Sequence, residues 1–330
     1  VGENDTVMPV VPMFHVNGWG FPYSGTFYGS KLVLPGQHTG PAEVADLIDA
    51  EDVTVAAAVP TVWIEMDSHL ESSAGEPLAS LDRVLTGGSA PPASLMQKYE
   101  EVYEAPIYQG YGMTEASPHL ANTFETTEMQ DLPGEERYEL KRKAGIPAPG
   151  ARIRLRTQDG EPVPHDGETP GEIHARSPWL TDGYFKRPEA NAQSFEDGWF
   201  KTGDIGTIDE YGYLDVVDRI DDAIKSGGEW ISSVELENSL IDADGVAEAA
   251  VIAVPHEKWQ ERPVAFVVTD DPAVDEEHLR EHLLKTFPKW WLPDVFRFIE
   301  EIPKTTTQKF NKKDLRERFL DEEGELPLAE

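Results

Sequence analysis

The sequence contains no cysteine among its 330 residues. This excludes disulfide bonds, thiolate zinc sites and catalysis by a protein thiol, and it agrees with a reducing cytosol. Long apolar runs are also lacking. The longest, Val53 to Val59 with its extension through Pro60 to Ile64, is much shorter than the roughly 18 residues that a membrane helix requires. We therefore expect a soluble, cytoplasmic protein with no integral membrane segment.

Basic residues are scarce, because 28 Lys and Arg face 62 Asp and Glu, giving a formal net charge of −34. Such a surface repels nucleic acid and anionic membranes, since phosphate binding needs clustered basic side chains. It keeps a protein hydrated but causes self-repulsion that salt must screen. We predict a halophilic protein from a high-salt cytoplasm, with no nucleic acid partner. The alternative is an ordinary acidic protein, whose stability would not rise into molar KCl.

The chain reads as three successive regions. Up to about residue 145, strand-like and helix-like segments alternate, beginning with Val7 to Phe14, which predicts a parallel sheet covered by helices. From 146 to 217, short β-like runs separated by glycine turns predict an antiparallel sheet or small barrel. The remainder has the pattern of a compact α+β unit, in which Ser232 and Glu235 form a capping box at the start of a helix.

Lysines gather against the acidic trend in the segment from Pro303 to Lys313, which contains four of them. A cationic, hydroxyl-rich loop before a helix suits an anion such as a phosphate or a carboxylate. The alternative is a basic final helix that balances the charge of its neighbours.

Two glycine-containing segments, Thr86 to Ser89 and Tyr108 to Glu115, follow consecutive predicted strands. Open α/β sheets bind ligands at the carboxyl ends of their strands, and glycine lets the backbone approach a ligand closely. An aromatic ring can stack on a base, a Thr hydroxyl can donate to phosphate, and a carboxylate can hold Mg²⁺. Either segment alone could be a plain turn, but two at neighbouring strand ends favour a binding site.

A third segment, Gly198 to Asp204, ends in a carboxylate that follows glycine. One carboxylate can accept hydrogen bonds from both hydroxyls of a ribose. The alternative is an Asp that caps its own turn.

Taken in order, the motifs resemble those of the adenylate-forming superfamily, specifically its medium- and long-chain fatty acyl-CoA synthetases. The motifs are Pro12-Met13-Phe14-His15-Val16-Asn17-Gly18-Trp19, Gly87-Gly88-Ser89-Ala90-Pro91, Tyr111-Gly112-Met113-Thr114-Glu115, Gly171-Glu172-Ile173, Gly183-Tyr184-Phe185, Trp199-Phe200-Lys201-Thr202-Gly203-Asp204, Asp218-Arg219-Ile220-Asp221-Asp222, Ile224 to Ser233 and Pro303-Lys304-Thr305 with Lys309. The segments Lys258 to Pro263 and Lys289 to Pro293 favour the fatty acyl branch.

The resemblance implies an α/β fold. Its first part is a portion of an adenylate-forming large domain, with a parallel sheet (1–145) and a small β-barrel (146–217). A hinge (218–222) and a mobile α+β C-terminal domain (223–330) follow.

The resemblance also implies ATP, Mg²⁺ and coenzyme A as cofactors. Tyr111 would stack on adenine, Thr114 would contact the α-phosphate, Glu115 would hold Mg²⁺, and Asp204 with Arg219 would bind the ribose. The other nucleotide- or CoA-binding positions that it implies are Gly88, Ser89, Gln109, Gly110, Gly112, Gly227, Gly228 and Trp230.

The resemblance also assigns the catalytic lysines. Lys309 would bridge the substrate carboxylate and the α-phosphate, because attack of one anion on another needs positive charge in the transition state. Asp221 would be the hinge about which the C-terminal domain rotates, after which Lys225 would face the site and CoA would enter. His15, Trp19 and Gly87 would line the acyl pocket, with Trp19 as a gate.

Two features of the sequence depart from the family's pattern. The family usually has Gly where Gln308 stands. Its phosphate loop should precede Val1, where Val7 to Phe14 already reads as a buried strand, so we expect an N-terminally truncated chain that begins inside a domain. A homodimer is expected for a full-length enzyme rather than for this piece. The alternatives are an aryl- or short-chain-CoA ligase and a non-catalytic remnant that binds a nucleotide or a partner.

Overall fold

The computed structural model describes residues 1–72, 78–157, 159–220, 222–227, 229–269, 271–305 and 310–323. It divides into two compact units, the first formed by Val1–Thr202 with Gly206–Val216 and the second by Gly203–Ile205 with Val217–Glu330. Within the described ranges, no helix combines the length and the apolar character that crossing a bilayer requires.

The first unit is built on a seven-stranded sheet with the order β2-β1-β3-β4-β5-β6-β7. Its strands are β1 (Thr6–Pro9), β2 (Lys31–Leu32), β3 (Val55–Ala58), β4 (Arg83–Gly87), β5 (Ile107–Gly112), β6 (His119–Asn122) and β7 (Ile146–Pro147). The pairs from β2 to β5 are parallel, whereas β6 and β7 are antiparallel to their neighbours. The predicted parallel α/β arrangement is thus confirmed, with an antiparallel edge that the sequence pattern did not indicate.

Helices cover this sheet and supply the apolar side chains of its core. The helices of the first unit are Phe21–Tyr28, Pro41–Glu51, Pro60–Ser72, Ala93–Glu101, Thr127–Gln130, Gly134–Lys141 and Pro188–Ser194. Helix Pro41–Glu51 begins with a proline, whose missing N–H would have no partner in the first turn. Trp63 and Tyr99, from two of these helices, are fully buried and meet edge to face in the core.

The first strand is shorter than the sequence predicts. The expected strand ran from Val7 to Phe14, but β1 ends at Pro9. Beyond it, the N–H groups of Val10 and Val11 both donate to the carbonyl oxygen of Ala57. This shared acceptor, together with prolines that cannot donate, ends the regular ladder although Val10 and Val11 remain buried.

A second, antiparallel sheet has the order β10-β11-β9-β8, with β12 paired to β11. Its strands are β8 (Arg152–Arg156), β9 (Gly171–Arg176), β10 (Phe195–Glu196), β11 (Trp199–Ile208) and β12 (Leu214–Arg219). Leu155, Ile173 and Leu214 pack in its core together with Leu120 of β6. The predicted change from a parallel sheet to antiparallel strands is therefore present.

The second unit is an α+β structure with the sheet order β14-β13-β16-β15 and with β17 paired to β16. Its strands are β13 (Ile224–Ser226), β14 (Glu229–Ile231), β15 (Glu248–His256), β16 (Gln260–Val268) and β17 (Val295–Phe298). Its helices are Ser233–Ile241, Glu276–Leu283 and Lys312–Glu323. One half of the predicted capping box is present, because Ser232 Oγ accepts a hydrogen bond from Glu235 N at 3.1 Å.

Side chains alternate between two cores along β15, which explains its apolar run from Ala249 to Val254. Val251 belongs to the core that includes Leu236 and Leu279, whereas Ile252 belongs to the core that includes Leu315. A strand buried on both faces must be apolar at every position.

Candidate functional site

The ends of β4 and β5 bring the two glycine-containing segments together. Gly87 pairs with Gly110 across the strands, and a Cβ on Gly87 would lie 2.8 Å from the carbonyl oxygen of Gly110. Gln109 donates from Nε2 to the carbonyl oxygen of Ser89 at 3.2 Å. Glycine is therefore required at position 87 for the strands to approach, and the predicted juxtaposition of the two segments is present.

Most of the second glycine-containing segment belongs to the strand that it was expected to follow. Strand β5 continues through Gly112, because β6 pairs with it from Gly110 onward, and the register shifts between Tyr111 and Gly112. A Cβ on Gly112 would lie 1.8 Å from the carbonyl oxygen of Pro118. The irregularity leads into the 3-10 turn Thr114–Ala116, so Thr114 and Glu115 stand just beyond the end of the strand.

Trp19 reaches the same strand end from a left-handed turn. The backbone φ angles of Val16, Asn17, Gly18 and Trp19 are all positive, between 46° and 62°. The carbonyl oxygen of His15 accepts from the N–H groups of Gly18 and Trp19 at 3.1 and 3.4 Å. This turn carries the Trp19 ring to 3.5 Å from the position of a Cβ on Gly87, so the structure brings two of the predicted pocket residues together.

Glu115 is held at two points by the segment that precedes helix Pro188–Ser194. Tyr184 Oη donates to Glu115 Oε1 at 2.8 Å, and Thr181 N donates to the Glu115 carbonyl oxygen at 2.8 Å. Burial, together with this hydrogen bond to a carboxylate, raises the pKa of Tyr184 to about 12. Tyr184 belongs to the Gly183-Tyr184-Phe185 motif, and this motif is the signal in the sequence that could have pointed to the contact with Glu115.

Glu115 and Thr114 suit a Mg²⁺ ion that is held largely by phosphates. In the described ranges, no three His, Asp or Glu side chains converge as metal ligands. Mg²⁺ usually binds through one or two carboxylates together with substrate phosphates and water. Within the described ranges, the hydrogen-bond partner of the Glu115 carboxylate is the neutral Tyr184 hydroxyl, and no ion pair with Lys or Arg is present.

Asp204 and Arg219 lie side by side in the second unit. Asp204 is 5% exposed, and its Oδ1 lies 3.4 Å from Arg219 Nε. It lies within β11 rather than in a turn, which contradicts the alternative of an Asp that caps its own turn. Gly203 has a φ of +75°, and its carbonyl oxygen accepts from Ile220 N at 2.9 Å. The two side chains predicted to bind a ribose are therefore neighbours.

The hairpin of β13 and β14 carries Lys225, whose Nζ lies 4.5 Å from the centre of the Trp230 ring. Gly227 has a φ of +64°, and its N–H donates to the Trp259 carbonyl oxygen at 2.9 Å. A Cβ there would lie 2.9 Å from the Trp259 ring, so this turn requires glycine. Gly228 lies outside the described residues.

Lys309 and Asp221 also lie outside the described residues. The segment that contains Lys309 is bounded by a backbone bridge between Lys304 and Phe310 and by a hydrogen bond of 2.7 Å from Asn311 N to the Pro303 carbonyl oxygen. The catalytic and hinge assignments of these two residues stay predictions.

Comparisons with known proteins agree with this architecture. The chain is 49% identical over 321 residues to a long-chain-fatty-acid–CoA ligase of Thermus thermophilus, covering 97% of this chain and 59% of that protein. It is 39% identical over 322 residues to a medium-chain-fatty-acid–CoA ligase of Ectopseudomonas oleovorans, covering 97% and 58%. The chain thus spans somewhat less than two thirds of the length of the relatives that it matches.

Among solved structures, the o-succinylbenzoate CoA synthetase of Bacillus subtilis in complex with its acyl-adenylate intermediate is similar, with a TM-score of 0.80 and 31% identity. The match covers 96% of this chain and 61% of that one. The family model for the AMP-binding enzyme matches residues 1–185, and that for the AMP-binding enzyme C-terminal domain matches residues 235–309. Since the first match alone covers more than half of the sequence, the chain belongs to the AMP-binding enzyme family.

Proposed function

We propose that the protein activates a medium- or long-chain fatty acid with ATP, forming an acyl-adenylate, and then transfers the acyl group to coenzyme A. The observation that carries this proposal is the meeting of two glycine-containing segments at the ends of β4 and β5, with Thr114 and Glu115 just beyond. A hydroxyl and a carboxylate beside close-packed backbone suit a magnesium-bound triphosphate. The relatives named as fatty acid–CoA ligases support the substrate class.

In this proposal each part of the nucleotide has its own binding residues. Tyr111 stacks on the adenine, Thr114 donates to the α-phosphate, and Glu115 holds Mg²⁺, which neutralises phosphate charge when it is bound. Asp204 accepts hydrogen bonds from the ribose hydroxyls, and the Arg219 guanidinium beside it assists. A carboxylate suits this task because it only accepts, and a ribose offers two donors.

The chemistry of the first step needs positive charge, because a carboxylate attacks a phosphate that is itself negative. Lys309 supplies an ammonium group that stabilises the charge developing on both groups. Lys225, Gly227, Gly228 and Trp230 serve the second step, in which the CoA thiol displaces AMP from the acyl-adenylate. The Lys225 ammonium lies against the Trp230 ring, which limits the directions that it can take.

The acyl chain enters a pocket formed by His15, Trp19 and Gly87. The close approach of the Trp19 ring to Gly87 supports a gate at this position, since any side chain on residue 87 would occupy the space that the ring approaches. The alternative substrate is a short-chain or aryl acid. The 41% identity to a 3-methylmercaptopropionyl-CoA ligase of Ruegeria lacuscaerulensis supports this alternative. We further propose a cytoplasmic location, a high-salt environment, and a homodimer for the full-length enzyme.

The test is pyrophosphate release with a panel of short-chain, aryl, medium-chain and long-chain acids. The assay compares two proteins. One is this chain alone, and the other is this chain joined to the part of the Thermus thermophilus relative that it does not match. Release that is greatest with medium- or long-chain acids supports the proposal, and a preference for short or aryl acids selects the alternative substrate. Release by neither protein with any acid would identify a non-catalytic remnant.

Two lysine variants then test the chemistry. Lys309→Ala should abolish acyl-adenylate formation, whereas thioester formation from supplied acyl-adenylate should largely persist. Lys313→Ala, which removes a lysine whose side chain is 83% exposed, should leave both steps unchanged. Equal loss of both steps in Lys309→Ala would contradict its proposed role.

A further inference from the structure

We propose that Tyr184 is a positioning residue that fixes the orientation of the Glu115 carboxylate for the metal ion of the adenylation step. This inference rests on the proposed function, because Glu115 is assigned there as the metal ligand. Tyr184 lies 69 residues from Glu115 along the chain, and its phenol hydroxyl donates to Glu115 Oε1 at 2.8 Å.

The contact is one half of a two-point hold on Glu115. The backbone N–H of Thr181 donates to the Glu115 carbonyl oxygen at 2.8 Å, so the main chain and the side chain are both bound by the same four-residue segment. A carboxylate fixed only at its backbone can rotate about its side-chain torsions. The phenol restricts these rotations and leaves Oε2 for an ion.

Tyr184 is itself held firmly. Tyr184 N donates to Asn191 Oδ1 at 2.6 Å, and Asn191 Nδ2 donates back to the Tyr184 carbonyl oxygen at 3.0 Å. Its ring meets the Phe195 ring edge to face, with 6.2 Å between the centres. A Cβ on Gly183 would lie 3.1 Å from Asn191 Oδ1, so glycine allows this pairing to close. The hydroxyl is thus presented from a rigid support, as a group that orients a metal ligand requires.

A neutral donor has an advantage over a cation at this position. Lysine or arginine would also orient the carboxylate, but it would neutralise the charge that attracts Mg²⁺. Within the described ranges, Glu115 has no Lys or Arg partner. Tyr184 therefore orients Glu115 while leaving its full negative charge for the cation.

The experiment measures Mn²⁺ binding to the full protein in the presence of α,β-methylene-ATP, by electron paramagnetic resonance of the free ion. Tyr184→Phe removes the hydroxyl and keeps the ring. We expect the dissociation constant for Mn²⁺ to rise about tenfold, the lower end of the effect of deleting a group that orients a metal ligand. In the enzyme assay, the Mg²⁺ concentration that gives half-maximal pyrophosphate release should rise similarly, with kcat at saturating Mg²⁺ largely retained.

The matched control is Tyr213→Phe, which deletes a hydroxyl that donates to the Phe124 carbonyl oxygen at 2.7 Å and does not touch Glu115. This control should lower stability slightly without changing Mn²⁺ affinity, so it separates positioning from a general loss of a hydrogen bond. Glu115→Gln should weaken Mn²⁺ binding, and adding Tyr184→Phe to it should weaken binding no further.

The outcomes separate the inference from the function on which it rests. Unchanged Mn²⁺ affinity in Tyr184→Phe, with weakened binding in Glu115→Gln, overturns the inference alone. Equal affinities for the wild type and Glu115→Gln overturn the metal assignment in the proposed function and the inference with it. Equal weakening in Tyr184→Phe and Tyr213→Phe also overturns the inference, because the effect would then be structural.

Discussion

Replacement of Lys312 should expose how the second unit stabilises charge in its interior. Lys312 Nζ lies 2.8 Å from Glu237 Oε1 and donates to Ser233 Oγ at 2.6 Å, and both charged side chains are at most 13% exposed. Ser233 in turn donates to the buried carboxylate of Asp218. Burial raises the pKa of Glu237 to about 7 although Lys312 lowers it. Burial alone would lower the pKa of Lys312, but the charges of Glu237 and Asp218 raise it.

We expect Lys312→Met to destabilise the second unit by about 3 kcal/mol at pH 7, the lower end of the cost of breaking a buried ion pair. The lower end applies because Glu237 can take up a proton when its partner is lost. Because the folded pKa of Glu237 lies above the unfolded value of about 4.5, its contribution to wild-type stability falls as the pH rises toward 7 and then levels off. In Lys312→Met the folded pKa is higher still, so the penalty should grow by up to about 1.4 kcal/mol between pH 7 and 8.

Amide hydrogen exchange of β15 at fixed KCl measures this effect, because the Val251 N–H donates to Glu237 Oε1 and reports the opening of the second unit. Adding Glu237→Gln to Lys312→Met should recover part of the loss and remove the additional pH dependence, since neither charge then remains. Lys313→Met, which removes an exposed neighbour, should change stability by less than about 0.5 kcal/mol. A Lys312→Met penalty that equals this control, or that does not grow with pH, would refute the reasoning.

Three further changes test other parts of the structure. The urea midpoint of the wild type should rise from dilute buffer into molar KCl because salt screens the repulsion of a −34 net charge, and an unchanged midpoint would favour an ordinary acidic protein. Gly112→Ala should lower the free energy of unfolding by about 3 kcal/mol, because its Cβ would meet the Pro118 carbonyl oxygen. Gly212→Ala, which is strained at a φ of +83° but lies in open space, should lower it by roughly 1 kcal/mol. Equal shifts of the two variants in urea unfolding would contradict the steric account. Arg262→Lys should lower the stability of the second unit by about 3 kcal/mol, measured by hydrogen exchange of β16, since lysine cannot reproduce the forked contacts with Asp294 and two backbone carbonyls. Full retention of stability would show that charge alone suffices.

Local patterns in the sequence predicted the features that depend on near neighbours. The cap at Ser232 could be read because its partner is three residues away, and the apolar run of β15 could be read because both faces of that strand are buried. The parallel α/β region followed from the alternation of apolar runs with helical spacing.

Features that depend on distant partners could not be read in this way. The extension of β5 through Gly112 arises from its pairing with β6, and isolated glycines give no signal for it. The contact between Tyr184 and Glu115 joins residues 69 positions apart. The proximity of Asp204 and Arg219 agrees with a role that came from the family resemblance, because a lone Asp after glycine carries little information.

The left-handed turn at Val16 to Trp19 has a consequence for attempts to stabilise the protein. A β-branched residue at Val16, with a φ of +46°, holds its backbone in a conformation that disfavours L-residues by about 1 kcal/mol or more. Selection for heat resistance should therefore find glycine at this position early. The relaxed chain would also lose part of the constraint that carries the indole of Trp19 to Gly87. A gain in thermal stability would then come with a loss of order at the proposed acyl pocket.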